Sequence, residues 1–359
     1  MSTPASPDRK YSIRVGNRRI CGGVPPFVIA EMSGNHNQSL DRALKIVQAA
    51  ADAGADAIKL QTYTADTITL DVGGGSFVIS DPQSPWAGKR LHDLYQEAYT
   101  PWEWHKPLFD RARELGLVAF STPFDATAVD FLEALDVPAY KVASFELVDL
   151  ALVERIAGTG KPMIVSTGMA TLSEIGEAVE AARRAGATEI ALLKCSSAYP
   201  AQPEEMNLAT IPHLAEAFGV PVGLSDHTLG IAVPVAAVAL GACIVEKHLT
   251  LSRSEPGPDA AFSLEPAEFR AMVEAVRTAQ QAVGRVDYGV SPREAASRAF
   301  RRSLFVAQDV REGDVFTPEN VRSVRPADGL PPKFLPEVLG RRAARDIQAG
   351  TPLKWELIA

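Results

Sequence analysis

Short apolar runs alternate with longer amphipathic stretches along the chain from residue 27 onward. The runs are β-branched and almost uniformly apolar, which is typical of parallel strands buried on both faces. The stretches between them, such as residues 40–54 and 172–186, have a helical period and end in glycine, a common helix stop. The pattern predicts eight strands, at residues 27–31, 57–61, 117–122, 139–144, 162–167, 190–195, 221–226 and 243–248.

Eight strand-and-helix units of this kind predict an α/β fold, a (β/α)8 TIM barrel. A doubly wound open sheet is the alternative, and a glycine-rich loop after the first strand would favour it. Residues 30–39 read AEMSGNHNQS instead and contain no GxGxxG motif. The long gap at residues 62–116 is an insertion that could cover an active site.

The pattern changes after residue 285 to short strand-like segments separated by turn residues: RRSLFVAQDV, REGDVF, ENVRSVRP and DIQAGTPL. We therefore expect a barrel domain over residues 1–285, a linker over 286–299 and a small domain over 300–359. The small domain is near the lower size limit for folding alone, so we expect it to pack against the barrel or against a neighbouring subunit.

Composition narrows the classes of partner. The net charge is −8 and no long basic run occurs, which argues against nucleic acid or an anionic membrane as the main partner. The three cysteines are odd in number and far apart, as in a reducing, cytoplasmic protein. The polar N-terminus lacks a signal-peptide core, and the apolar stretch at residues 231–240 is too short to span a bilayer.

Nearly every predicted strand ends in polar side chains. The carboxyl ends of barrel strands are where such enzymes build their sites, and eight strands ending alike favour a shared site. The strand-end residues are Glu31, Lys59, Gln61, Ser121, Thr122, Lys141, Ser144, Ser166, Thr167, Lys194, Ser225, His227, Glu246 and His248.

Two histidines on neighbouring strands could bind one metal ion. Strand side chains alternate, so Glu246 and His248 face one way and Lys247 the other, and Ser225 and His227 repeat that relation on the adjacent strand. Neutral imidazoles suit Mn, Co, Fe or Zn, and two of them leave positions open for a substrate. The alternative is two separately hydrogen-bonded histidines. We expect a divalent metal cofactor (Mn, Co or Mg).

Three strand-end lysines, Lys59, Lys141 and Lys194, predict a positive pocket in a negative protein. A buried lysine without a partner is costly, so an anionic ligand such as a phosphate or carboxylate is the simplest partner. The alternative is internal ion pairs with Glu31 or Glu246.

Other histidines and the tryptophans are less informative. His36 follows the first strand and could line the site. The remaining histidines are predicted to be structural or on the surface: His92, His105 and His213. The tryptophans of the insertion are predicted to form its packing core: Trp86, Trp102 and Trp104.

Eight segments in order resemble the sialic acid synthase family: AEMSGNHNQS, AIKLQTY, FSTPFD, YKVASFE, STGMAT, YPAQPEEMNL, GLSDHT and EKHLT. The C-terminal RRSLFVAQDVREGDVFTPENVRSVRP resembles that family's antifreeze-like (SAF) domain. Within the family, MSGNHNQSLDRAL, LYQEAYTPWEWHKPLF, ALLKCSSAYPA and HLTLSRSEPGPDAAFSLEP are most similar to the pseudaminic acid synthases. The proline-rich stretch at residues 253–259 departs from that subgroup, and we expect it on a solvent loop away from the chemistry.

The resemblance implies a role for each matching residue. His227 and His248 would bind the metal, and Glu31 and Glu246 would lie near the metal and the reacting carbons. The residues matching those that hold phosphoenolpyruvate are Lys59, Thr122, Lys141, Ser144, Ser166 and Ser225. The residues matching the sugar side are Glu146 and Tyr199, with Ser197 where relatives often have Asn.

The resemblance also implies an assembly and a reaction. Arg302, next to Arg301, matches an arginine that the small domain delivers into the barrel of the partner in a domain-swapped homodimer. The implied reaction joins phosphoenolpyruvate, an amino-sugar aldehyde (2,4-diacetamido-2,4,6-trideoxy-altrose) and water into pseudaminic acid and phosphate. Synthesis of N-acetylneuraminic or legionaminic acid is the alternative, and a carbohydrate- or ice-binding protein is the non-enzymatic one.

Overall fold

The computed structural model describes residues 11–82, 84–255 and 257–359. The polar N-terminal segment over residues 1–10 lies outside them. The described chain divides into two compact units, of which the first ends at Gly284 and the second is Arg285–Ala359. None of the described helices combines the length and the apolar character needed to cross a membrane.

The first unit is a closed barrel, and the predicted α/β barrel is confirmed. Within the described residues, eight parallel strands form a ring in which the last strand, Ile244–His248, pairs with the first, Phe27–Glu31, so the open-sheet alternative is wrong. A hairpin of Ile13–Val15 (β1) and Arg18–Ile20 (β2) precedes it. The barrel strands are Phe27–Glu31 (β3), Ala57–Thr62 (β4), Val118–Pro123 (β5), Tyr140–Val142 (β6), Met163–Ser166 (β7), Ile190–Cys195 (β8), Val222–Asp226 (β9) and Ile244–His248 (β10).

The strand bounds agree closely with the predicted ones except at β6. This strand ends at Val142, because the chain turns there and the Glu146 amide donates a hydrogen bond to the Ala143 carbonyl (3.2 Å). Ser144 therefore lies on a loop rather than at a strand end.

Helices follow the strands and cover the barrel from outside. Side-chain caps fix where they begin: Ser39 accepts a hydrogen bond from the Arg42 amide, and Thr171 forms a capping box with Glu174, each worth about 1 kcal/mol. The helices are Leu40–Asp52 (α1), Ala65–Ile68 (α2), Leu91–Ala98 (α3), Trp102–Glu114 (α4), Ala126–Ala134 (α5), Leu150–Ala157 (α6), Leu172–Arg184 (α7), Thr210–Phe218 (α8), Ala232–Ala239 (α9) and Pro266–Val283 (α10).

Alternation along the strands produces two apolar layers. Outward side chains pack against the helices, and inward ones fill the lower barrel. The inner layer also contains Ile13, Val15 and Ile20 of the hairpin, which pack against inward residues such as Phe27 and Ile244. Apolar packing therefore fills the barrel on the hairpin side and leaves the carboxyl ends of the strands for polar groups.

The second unit has its own small core. Ser303–Val306 (β11) and Val321–Val324 (β12) pair antiparallel, and Pro292–Ala295 (α11) and Leu335–Val338 (α12) are short helices. Two of the four predicted strand segments are not strands, since they form only isolated bridges such as Val310 with Ile347. Turns at Gly313 and Gly350, both with positive φ, interrupt these segments.

Candidate active site

A cavity of about 930 Å³ opens at the carboxyl ends of the barrel strands. Every barrel strand contributes at least one inward side chain to its lining, so the predicted convergence of strand-end residues is present. These side chains are Glu31, Lys59, Gln61, Thr122, Lys141, Ser166, Cys195, Ser225, Glu246 and His248.

Alternation excludes three of the strand-end candidates. Ser121 faces outward and lies 2.6 Å from the Thr62 hydroxyl, and the Thr167 hydroxyl donates to the Leu193 carbonyl (3.0 Å). Lys194 follows the inward Leu193 and therefore points out, where its ammonium donates to the Cys195 carbonyl (3.0 Å). The predicted cluster of three lysines is wrong for that reason, and two lysines line the cavity.

The two remaining lysines form a buried network with the carboxylates. Lys59 Nζ lies 2.6 Å from Glu31 Oε2 and 3.5 Å from Glu246 Oε1, and it donates to Thr122 Oγ1 (3.1 Å). Lys141 Nζ lies 3.8 Å from the same Glu246 oxygen and donates to Ser166 Oγ (2.6 Å). The internal ion pairs left open as an alternative are thus formed. Glu246 Oε2 is buried without a hydrogen-bond partner in the described structure, so the network still has an unused acceptor.

The network shifts the pKa values of its two carboxylic acids in opposite directions. Burial raises the pKa of Glu246, but Lys141 and Lys59 outweigh it and hold that pKa below its usual value. Burial dominates at Glu31 and raises its pKa despite the attraction of Lys59. Two acids that share one cation but differ in pKa are typical of sites that move protons. Glu246 is the carboxylate that stays ionised.

The two histidines lie close together on neighbouring strands. The ring centroids of His227 and His248 are 5.3 Å apart. His227 Nδ1 lies 2.8 Å from the Ser196 carbonyl, which requires a proton on Nδ1 and leaves Nε2 as the lone-pair nitrogen. His248 Nδ1 is buried and has no hydrogen-bond partner in the described structure, so the alternative of two separately satisfied histidines is wrong.

This pair fits a divalent metal with two protein ligands. Burial lowers the pKa of His248 well below its usual value, which keeps the ring neutral as a ligand must be. In the part of the chain that the structure describes, no three His, Cys, Asp or Glu side chains form a ready metal cluster. The rest of the coordination shell would come from substrate or water, as at an open catalytic site.

A buried ion pair outside the barrel joins the strands that carry the histidines. Lys247 and Asp226 point outward, are fully buried and bind each other, and Lys247 also donates to the Thr228 carbonyl. Removing one partner of such a pair usually costs about 3–5 kcal/mol. Since these residues directly precede His248 and His227, the pair restrains both rings.

Loops after the strands supply the other side of the cavity. Ser144 Oγ accepts a hydrogen bond from the Gly168 amide (3.0 Å). Burial raises the pKa of Glu146 to about 7, and Glu146 Oε2 has no hydrogen-bond partner among the described residues. The Tyr199 ring lies 4.4 Å from the His227 ring, and Ser197 also lines the cavity. The candidate sugar-facing residues therefore share one cavity with the histidines.

Two expectations about loops are wrong. The stretch at residues 253–259 was expected away from the chemistry, yet Pro258 and Asp259 line the cavity, and Asp259 Oδ2 lies 3.9 Å from His248 Nδ1. Trp86 was expected to pack only within the insertion, yet its ring faces the cavity, 5.5 Å from Tyr199. Both segments follow barrel strands, where the loops that build active sites begin. That position in the sequence could have predicted that they line the cavity.

Of the remaining predictions about tryptophans and histidines, those for Trp102, Trp104 and three histidines agree with the structure, and the one for His36 does not. Trp102 stacks on Phe131 and Trp104 packs edge-on against His36, as expected of a packing core. His36 does not line the cavity, since it is fully buried with Nε2 3.2 Å from Thr100 Oγ1. His105 is buried beside Thr62, His92 pairs with Asp66, and His213 is exposed, so those three are structural or on the surface.

Arg302 lies in the second unit, where Nη1 donates to the Ser323 carbonyl (2.9 Å) and the side chain is exposed. Arg301 is also exposed. The role expected of Arg302 in a partner subunit stays a prediction.

Comparison with known proteins agrees with this geometry. The chain is 45% identical to a pseudaminic acid synthase of Helicobacter pylori over 92% of this chain and 96% of the relative. It is 46% identical to a pseudaminic acid synthase of Campylobacter jejuni over 91% of this chain and 95% of the relative. The crystal structure of an N-acetylneuraminic acid synthetase from Leptospira borgpetersenii superposes with a TM-score of 0.71 at 32% identity, covering 80% of this chain and 95% of that one.

Family models match both units. The SAF domain model matches residues 301–359, in agreement with the resemblance of the C-terminal segment. The NeuB family model matches residues 46–288, which include most of the barrel and all eleven residues proposed to bind substrate or metal in it. The chain belongs to the NeuB family.

Proposed function

We propose that this protein condenses phosphoenolpyruvate with 2,4-diacetamido-2,4,6-trideoxy-altrose and water to give pseudaminic acid and phosphate. The relatives named pseudaminic acid synthase, at 45–46% identity over more than nine tenths of the chain, support this choice of sugar. The observation that carries the chemistry is the single cavity in which a lysine–carboxylate network lies beside two histidines.

Phosphoenolpyruvate would bind on the lysine side of the cavity. Lys59 and Lys141 lie on adjoining parts of one network, and three hydroxyls surround them: Thr122, Ser166 and Ser225. Cations and hydroxyl donors in a buried site hold a phosphate and a carboxylate by charge-assisted hydrogen bonds. Burial lowers the pKa of Lys141, and an incoming anion would favour its charged form. Fixing the enolpyruvate in line can supply about 7 kcal/mol of the barrier.

His227 and His248 would hold the metal. A bound divalent ion supplies Lewis-acid polarisation of the sugar aldehyde oxygen. The protein's part is to orient His227 through the Ser196 carbonyl and to keep the His248 ring neutral through its buried surroundings. Carbon 3 of phosphoenolpyruvate then forms a bond to the aldehyde carbon.

Glu246 is the base in this proposal. Attack by carbon 3 leaves positive charge at carbon 2 of the former enolpyruvate, and water adds there. Glu246 is ionised and has an unused oxygen, so it can accept the proton of that water. Phosphate leaves from the resulting tetrahedral carbon with its C–O electron pair, while the carbon 2 hydroxyl becomes the ketone and gives its proton to the departing phosphate. The proton accepted by Glu246 passes to the former aldehyde oxygen, which becomes a hydroxyl. General base catalysis of this kind contributes about 10²–10⁴-fold. Glu31 has a raised pKa and is the less suitable base.

Product analysis tests the reaction directly. NMR of mixtures containing phosphoenolpyruvate, Mn²⁺ and a panel of candidate hexoses should show pseudaminic acid from the diacetamido sugar at a far higher rate than any product from N-acetylmannosamine. A preference for N-acetylmannosamine would favour an N-acetylneuraminate synthase, an alternative compatible with the Leptospira structure. Absence of free phosphate with every sugar would favour a binding protein.

We also propose that the active unit is a domain-swapped homodimer. Loops and helix starts after β6, β7 and β9 expose large apolar side chains near the carboxyl ends of the strands: Phe145, Val148, Met169, Leu172 and Leu229. Such surface is usually covered by a partner. The proposed cover is the second unit of another copy, which would bring Arg302 with it. A guanidinium stays charged and can bind a carbonyl or carboxylate through two donors.

Complementation tests the swap. Arg302→Ala chains and Glu246→Gln chains would be mixed, each weak alone. In a swapped mixed dimer one barrel keeps Glu246 and receives an intact Arg302 from the other chain. Activity should recover to about a quarter of wild type, because half of randomly mixed dimers contain one good site of two. No recovery after demonstrated subunit exchange would reject the swap.

A further inference from the structure

A loop from the insertion after β4 reaches the cavity. This tryptophan loop, residues 78–82 and 84–90, is closed at its base by backbone hydrogen bonds from Ile79 to Lys89 (3.0 Å) and from Gly88 to Ile79 (2.8 Å). A bridge between Val78 and Arg90 strengthens the closure. Trp86 lies between these ends, half-buried, and lines the cavity. The loop is therefore a closed unit that presents an indole to the site.

Trp86 is anchored on two sides. Its Nε1 donates a hydrogen bond to the Pro258 carbonyl (2.8 Å), which belongs to the loop after β10. Its ring lies 5.5 Å from the Tyr199 ring, and the Tyr199 ring lies 4.4 Å from that of His227. A wall of rings thus runs from the metal-binding histidine outward to Trp86.

The position along this wall determines which part of the sugar meets Trp86. In the proposed function the aldehyde end of the sugar would lie beside His227, since this residue and His248 would hold the metal that polarises the aldehyde oxygen. Carbons 4 to 6 of the open-chain sugar are farthest from the aldehyde. Trp86 is separated from His227 by Tyr199 and is therefore next to that distal part.

The indole presents a surface without polar atoms. Its only donor, Nε1–H, is used by the Pro258 carbonyl, so no polar group of Trp86 is left for a sugar hydroxyl. Ile79 and Leu94 line the same cavity and are also apolar. A hydroxyl placed against the indole face would gain no hydrogen bond from Trp86, whereas a methyl group would gain burial.

We propose that Trp86 is a specificity-determining residue that selects sugars with a methyl group at carbon 6 over sugars with a hydroxyl there. The inference rests on the proposed function, which places the aldehyde at the histidines. An apolar wall rejects an added hydroxyl by about 10²-fold at most, so discrimination of roughly 10- to 100-fold is expected from Trp86.

The experiment compares kcat/KM for three sugars: the 2,4-diacetamido-2,4,6-trideoxy-altrose, one stereoisomer of it, and N-acetylmannosamine. Trp86→Ala should lower the preference for the diacetamido sugars over N-acetylmannosamine by about tenfold or more, while the KM for phosphoenolpyruvate stays within about twofold. Trp86→Phe keeps an aromatic face but removes the donor to the Pro258 carbonyl, and it should lie between wild type and Trp86→Ala.

Trp102→Phe is the matched control. Trp102 lies in the same insertion, and its Nε1 also donates to a backbone carbonyl, that of Tyr63 (3.2 Å), but its ring stacks on Phe131 and does not line the cavity. This variant should keep the wild-type preference. An unchanged preference in Trp86→Ala, or the same change in Trp102→Phe, would overturn the assignment of Trp86.

The outcomes also separate this inference from the proposed function. If wild type prefers the stereoisomer, the assignment of pseudaminic acid fails, but a reduced preference over N-acetylmannosamine in Trp86→Ala still supports the role of Trp86. A wild-type preference for N-acetylmannosamine would overturn both, because the wall would then not discriminate against hydroxyls.

Discussion

Gly168 lies where a single added methyl group should disable the site without disturbing the fold. A Cβ at this position would lie 2.3 Å from Ser197 Oγ, 2.7 Å from Ser144 Oγ and 3.1 Å from Ser144 Cβ. Rotation of the two hydroxyls cannot remove the last contact, so Ser144 itself must move. Its hydrogen bond from the Gly168 amide would be distorted as well. Misplacement of binding groups by about 1 Å can cost roughly 10²-fold in rate.

We therefore expect Gly168→Ala to lower kcat/KM by about 10²-fold, with a loss of unfolding free energy of about 1–3 kcal/mol, as is usual for overpacking. Phosphate release measures the first quantity and urea unfolding the second. Gly176→Ala is the control, because the nearest atom to its Cβ would be Phe218 Cε1 at 3.9 Å. Gly176 lies within α7, so that change should keep activity and add up to about 1 kcal/mol of stability. If Gly168→Ala retains activity within about twofold of the control, the argument that Ser144 is positioned through Gly168 is wrong.

Three further predictions follow from the site and its surroundings. A chelator should abolish activity and Mn²⁺ or Co²⁺ should restore it, while His248→Ala should weaken metal binding in calorimetry yet leave phosphoenolpyruvate binding intact; full activity of metal-free protein would refute the metal proposal. Glu246→Gln should bind phosphoenolpyruvate but turn over about 10²-fold or more slowly, and an unchanged rate would move the base to Glu31. Burial lowers the pKa of His105 to about 4 from 6.5, so the folded state binds fewer protons than the unfolded state between these values and stability falls as pH falls through them. Linkage gives a loss of about 2 kcal/mol between pH 7.5 and pH 5 from this residue, which urea unfolding should show as a steeper pH dependence in wild type than in His105→Gln; equal slopes would contradict it.

The sequence by itself determined the architecture and most of the site. Eight apolar runs of strand length, separated by helical stretches, are enough to predict the barrel, because period and length are local properties of the chain. The same alternation placed Ser225, His227, Glu246 and His248 on one face, and the structure has them in one cavity. Motif resemblance then identified the family, which the NeuB match confirms.

Tertiary structure decided what alternation alone left open. Which face of each strand points inward depends on how the barrel closes, and closure turned Lys194 outward while it kept Lys59 and Lys141 inside. The tertiary structure also decided which loop residues line the cavity. Trp86 and Asp259 are far apart in sequence and meet the same cavity only because loops after β4 and β10 converge at the carboxyl ends of a closed ring. Local pattern carries no information about such convergence, since it depends on contacts between segments distant in the chain.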